Sequence, residues 1–196
     1  MTPTATLQVQ EHLFVIGDGH DMPVATADYS TGLAGAMHNA ALICTGIEQG
    51  PVTVSAEPLP ARPGIDNVND WDDVAEISIY APTGNLSIDQ LTSDPHDLPA
   101  ALPNMSPQGA GTYRLRIHAR GRDQNHNQIV TTSAEVYYLV TWPAPPTHPV
   151  IIRATDRCGY GLRLTATTPG PPATQPSEPT PDPARERLLQ NLRENL

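Results

Sequence analysis

Lysine is absent from this chain, phenylalanine occurs once, and aromatic residues make up only 5% of it. A core built from such a composition must rest on Val, Ile, Leu and Ala. All eleven basic residues are therefore arginine, which hints at a GC-rich bacterial genome and says nothing about function. Long hydrophobic runs are also missing. The apolar stretch Leu13–Ile16 is too short for a membrane span or a signal segment, and no basic region precedes it. The expected address is cytoplasmic, with no membrane contact. Cysteine is limited to Cys44 and Cys158, far apart in sequence, which reads as two reduced, packed thiols, with a disulfide as the minor alternative. The seven histidines show no close zinc-type spacing. Neither a phosphate-cradling glycine loop nor a G-x-S-x-G elbow occurs, and no Cys–His arrangement has a recognisable context. These gaps lead to the expectation of a protein that is not an enzyme, with no catalytic residues, no metal and no cofactor.

Proline and glycine are plentiful, at 22 and 14 residues, and together they favour short strands joined by turns over long helices. Strands are expected at Thr6–Gln10, Leu13–Ile16, Ala40–Cys44, Val52–Ala56, Asp73–Tyr80, Leu86–Ile88, Pro149–Ala154 and Gly161–Ala166. The clearest pattern is a hairpin over residues 112–142. Its first arm alternates Tyr113, Leu115, Ile117 and Ala119 with Arg114, Arg116, His118 and Arg120. Its second arm gives an apolar set Val136, Tyr138, Val140 and Trp142, with Glu135, Tyr137 and Thr141 on the opposite face. With no βαβ rhythm, the fold class is all-β: an antiparallel sandwich or jelly-roll-like barrel of eight to ten short strands over residues 1–168. Seven of the fifteen residues 169–183 are proline, an extended Pro-rich linker. Asp182 then caps a short amphipathic C-terminal helix, 184–196, with Leu188, Leu189, Leu192 and Leu196 in one stripe. That helix either docks on its own sandwich or serves another protein.

Charge is unevenly distributed. Residues 1–110 hold fourteen acids against Arg62, whereas residues 111–168 hold seven arginines against three acids. The acidic run Asp66, Asp70, Asp72, Asp73 with Glu76 is the candidate partner-binding patch, suited to a basic protein. The basic hairpin face, Arg114, Arg116, His118, Arg120 and Arg122 with Glu135, is either a structural set or an anion-facing one. The expected register brings Arg120 near Glu135, with Glu76 a partner for the other arginines. Nucleic-acid binding is not expected, because the acidic flank opposes phosphate approach. Gly17–Asp21 crowds two carboxylates around His20; a turn is the first reading, a metal or small-molecule loop the alternative.

The segment YRLRIHARGRD (113–123), followed by EVYYLVTWPA (135–144), resembles a group of bacterial proteins, common in actinobacteria, with a YRxRxHARGRD…EYLxxxWPA core. CTGIEQGPVTVSAEPLPARP (44–63) and WDDVAEISI (71–79) are similar to the same group, so the resemblance spans about residues 40–145. It labels a family and implies no activity. Strand order and the TGIEQGPVTV hairpin are also similar, more remotely, to the competence nuclease inhibitor ComJ, which implies a small all-β protein that binds a partner nuclease. No site residue carries over from either. The expected function is a non-enzymatic protein-binding module, an inhibitor or immunity protein for a basic partner such as a nuclease. The alternatives are an adaptor acting through the C-terminal helix, and a small-molecule or metal-binding sandwich. Oligomeric state is left open.

Overall fold

The computed structural model describes residues 2–19, 22–65, 67–91 and 102–167. Ten strands run in the order β1 (Thr4–Val9), β2 (Leu13–Gly17), β3 (Ala34–Ala36), β4 (Ala40–Cys44), β5 (Gly50–Pro58), β6 (Asp73–Ala81), β7 (Ser87–Gln90), β8 (Gly111–Arg120), β9 (Val136–Pro143) and β10 (Val150–Ala154), followed by one helix, α1 (Arg157–Thr167). They form a six-stranded sheet, β1-β5-β9-β8-β6-β10, and a four-stranded sheet, β3-β4-β2-β7. The all-β class and the strand number agree with the sequence. All pairings are antiparallel except β5 with β9, which run parallel.

One apolar core lies between the sheets. Leu7, Val54, Ile77, Leu115, Ile117 and Leu139 of the large sheet meet Phe14, Ile16 and Ile43 of the small one, all buried. Fully burying a side chain of this size stabilises by roughly 1.5–3 kcal/mol. The outer face of the small sheet, Val15, Ala40 and Leu42, is covered as well, by Met22, Ala27, Met37 and Leu91.

The phase of the second hairpin arm differs from the sequence reading. Tyr137, Leu139 and Thr141 point into the core, opposite Ala119, Ile117 and Leu115. Val136, Tyr138, Val140 and Trp142 share the outer face with Arg120, His118, Arg116 and Arg114. Both faces of this strand are covered, so hydrophobicity alone cannot set its phase. Tyr137 tolerates the interior because its hydroxyl donates to the Glu135 carboxylate at 2.6 Å.

Residues 161–166, expected as a strand, belong to α1. Leu162 and Leu164 alternate with polar neighbours, which imitates a strand over so short a window. The helix is set by its ends and its anchors. The Asp123 carboxylate accepts the backbone N–H groups of Arg157 and Cys158 at 3.0–3.1 Å, and Asp156 accepts that of Gly159 at 2.7 Å. Farther along α1, Arg163 donates to the Thr31 carbonyl at 3.2 Å and to Asp73 at 3.3 Å, tying the helix to β6 and to the loop before β3. The Pro-rich linker 169–183 and the helix expected over 184–196, with Leu188, Leu189, Leu192 and Leu196, lie outside the described residues.

Candidate functional site

The arginine-rich motif occupies two buried centres. In the first, Arg122 sits between the sheets and α1 with no solvent exposure. Its five N–H groups are all accounted for. Nε and Nη2 donate to the Asp156 carboxylate at 2.7 and 3.0 Å, Nη2 also donates to Asp73 at 3.0 Å, and Nη1 donates to the carbonyls of Gly32 and Cys44 at 3.0 and 3.3 Å. Burial alone would lower the Arg122 pKa, but the Asp156 charge and hydrogen bond outweigh it and keep the guanidinium charged. Close approach here requires glycine. A Cβ on Gly46 would lie 1.8 Å from the Arg122 carbonyl oxygen, and one on Gly159 would lie 2.4 Å from the Asp73 carboxylate. Beside this centre, Glu135 accepts the N–H groups of Gly46 and Ile47 at 3.2 and 2.7 Å, holding the β4–β5 turn.

The second centre is on the outer face of the large sheet. Glu76, 3% exposed, is contacted by Arg114, Arg116 and Arg62 at 2.8–3.5 Å. Arg114 spends its other donors on Ser78 and on the carbonyls of Glu76, Thr147 and His148. Arg116 reaches the carbonyls of Pro63 and Gly64. The proline-punctuated segment after β5 supplies these acceptors because proline holds it extended and adds no competing N–H. Arg116 also lies over the Trp142 ring, and Arg120 over Trp71, with 5.3 and 5.2 Å to the ring centres. His118 is packed against Trp71 and Tyr138, its Nδ1 2.9 Å from the Tyr138 carbonyl. Burial lowers its pKa, the carbonyl contact opposes this, and the Arg116 charge lowers it further.

The acidic run therefore forms no continuous exposed patch among the described residues. Asp73 and Glu76 are interior groups: Asp73 accepts from Arg122, Arg163 and the N–H groups of Thr155 and Asp156, and Glu76 from arginines. Asp72 is half-buried and accepts from the Gly121 N–H at 2.8 Å; Asp70 is exposed; Asp66 lies outside the described residues. Arg120 faces Val136 across the hairpin rather than Glu135. In the 17–21 loop, Asp18 accepts from the Thr83 hydroxyl and from the N–H groups of Thr83, Gly84 and Asn85. Burial would raise its pKa, and these bonds overcome that and hold it below the ordinary carboxylate value. Asp18 is thus tied to the β6–β7 turn; His20 and Asp21 lie outside the described residues.

What the fold brings together instead is a cavity of 470 Å³ at one end of the sandwich, a size typical of ligand and side-chain pockets. Leu13, Tyr29 and Leu162 supply apolar wall, Cys44 and Cys158 also line it, and His12 and His126 face each other with ring centres 6.5 Å apart. Burial pushes the Cys44 thiol up to about 12 and the Cys158 thiol to about 11, so both stay protonated. The rim is unusual. Residues 11 and 12 close the β1–β2 hairpin with Leu13 N–H donating to the Gln10 carbonyl at 3.1 Å, and both have positive φ, 55° and 64°. Turns of this kind favour Asn-Gly; Glu-His in their place stores strain and sets the Glu11 and His12 side chains at the cavity mouth. Exposed Ile129, Tyr160 and Leu164, at 67%, 59% and 51%, lie on the β8–β9 loop and α1, the segments that frame the cavity. Apart from the two cysteines, none of these positions stands out in the sequence, because the cavity is assembled from five segments far apart in the chain.

No protein-family model and no curated protein matches the chain, so the actinobacterial resemblance acquires no family. Two solved structures are similar in fold. ComJ from Bacillus subtilis, described as an inhibitor of the DNA-degrading activity of NucA, is 11% identical with a TM-score of 0.43, covering 72% of this chain and 95% of its own. The product of crocagin biosynthetic gene J is 16% identical with a TM-score of 0.46, covering 74% of this chain and 99% of its own.

Proposed function

We propose that this chain is a non-enzymatic binding protein that engages a protein partner through the end of the sandwich formed by the β1–β2 turn, the β4–β5 turn, the β8–β9 loop and α1. The observation that carries this reading is the apolar cavity framed by segments that expose Ile129, Tyr160 and Leu164. These three side chains do not line the cavity but lie on the same loop and helix beside it, and large apolar side chains left in water mark interaction surfaces. The non-enzymatic part rests on the chemistry of the cavity floor, where both thiols are protonated and their Sγ atoms contact carbonyls of Leu42 and Thr45. A net charge of −10 favours a basic partner and faster encounter with it. An inhibitor or immunity role fits such a binder.

The test compares capture from host lysate by the full chain, an Ile129→Asp/Leu164→Asp variant and a Val24→Asp control on the far side of the small sheet. Loss of one specific protein by the double variant, with retention by the control, supports the reading. Equal capture by all three overturns it.

A further inference from the structure

The rim of the cavity is electrostatically asymmetric. On the side of the β1–β2 and β4–β5 turns, Glu11 lines the mouth and Glu48 stands beside it, its carbonyl accepting the His12 N–H at 3.1 Å. Both carboxylates are exposed, and among the described residues neither has an ion pair. Across the mouth, Arg157 is already matched by Asp123 at 3.7 Å. Unmatched charge at the mouth is therefore negative and lies on one side. Inside, the wall mixes aliphatic Leu13 and Leu162 with the rings of Tyr29, His12 and His126. Rings of this kind pack against another ring edge-on or offset, which adds about 0.5–1.5 kcal/mol to the area buried.

We infer that the cavity is the socket for an aromatic side chain of the partner, with a cationic residue next to it that pairs with Glu11 and Glu48. This rests on the proposed function and names the chemistry the partner must present. A cavity of 470 Å³ has room for one phenylalanine or tryptophan ring with its backbone at the mouth. A cation on the neighbouring residue reaches the unmatched carboxylates without approaching Arg157. The strained Glu11–His12 turn is what holds the acidic side of the rim in position.

The probes are three capped peptides, Gly-Phe-Arg-Gly, Gly-Phe-Glu-Gly and Gly-Ala-Arg-Gly, titrated into the ¹⁵N-labelled full chain and followed by amide shifts. Gly-Phe-Arg-Gly is expected to move the amides of His12, Asn127 and Leu162. The other two peptides should bind about tenfold more weakly or not at all, because each lacks one of the two recognition elements. Glu11→Gln/Glu48→Gln should narrow the gap between the Arg and Glu peptides while leaving the Phe preference in place. Equal binding of the three peptides, or shifts confined to other surfaces, overturns the inference. If the peptides fail while the Ile129→Asp/Leu164→Asp variant still loses the partner, the docking end stands and the socket assignment alone falls. If both fail, the docking end is wrong as well.

Discussion

Arg122 has five donors, five acceptors and no exposed surface, and this completeness decides what its removal costs. Arg122→Lys keeps a charge but loses the fork that reaches Asp73, Asp156 and two carbonyls at once, leaving buried carboxylates short of partners. It should destabilise by about 3–5 kcal/mol in urea unfolding; a loss below about 1 kcal/mol would contradict the role given to this centre. His118 makes a second prediction. Its folded pKa lies below the ordinary value of 6.5, because burial and Arg116 outweigh the Tyr138 carbonyl. Arg120, Trp71, Tyr138 and Glu76 are the other groups around it. Below pH 6.5 the unfolded chain takes up a proton that the folded chain resists, so this contribution is fully present above 6.5 and lost as pH falls. Glu76 acts in the same direction at lower pH. Burial raises its pKa, but the Arg116 and Arg62 contacts bring it below 4.5, so its stabilisation is lost as pH falls through the folded value. His118→Gln should flatten stability between about pH 6.5 and 5 relative to the native chain, and an unchanged slope would count against a buried neutral imidazole.

At the scale of elements, two strands were readable by their bounds: Ala40–Cys44 matches residue for residue, and Asp73–Tyr80 differs from β6 by one residue. Two elements were not. The second hairpin arm places Tyr137 and Thr141 inward and valines outward, because its outer face is roofed by the segment that follows β5. The last described element became a helix because Asp123, 34 residues upstream, caps it, and Arg163 anchors it to Asp73. Neither contact has a local signature. Asp123→Ala should therefore cost about 0.5–2 kcal/mol of stability and raise amide exchange in α1 before the sheets; a uniform effect across the chain would contradict the capping role. The β1–β2 turn offers the opposite case. Glu11→Asn/His12→Gly relieves positive φ at two residues and should raise stability by about 1–3 kcal/mol, while weakening partner binding. A turn replacement that left both unchanged would mean the strain serves nothing.

For the whole molecule, the sequence pointed to the acidic run as a surface and left the arginine hairpin either structural or anion-facing; the fold buries Asp73 and Glu76 of the first and Arg114, Arg116 and Arg122 of the second, and leaves Asp70 and Arg120 exposed. Arg114, Arg116, Arg122, Asp73 and Glu76 became the polar framework that fastens the outer loops and α1 to the sheets. On the proposed reading, a partner docks on the end of the sandwich, where the cavity, its apolar frame and unmatched Glu11 and Glu48 converge. That division of labour is tested most directly by hydrogen–deuterium exchange of the full chain with and without its captured partner. Protection is predicted in the turn at residues 10–12, the turn at 46–49, the loop at 124–130 and α1. Protection centred on residues 59–72, or on the outer face of β8, would contradict it.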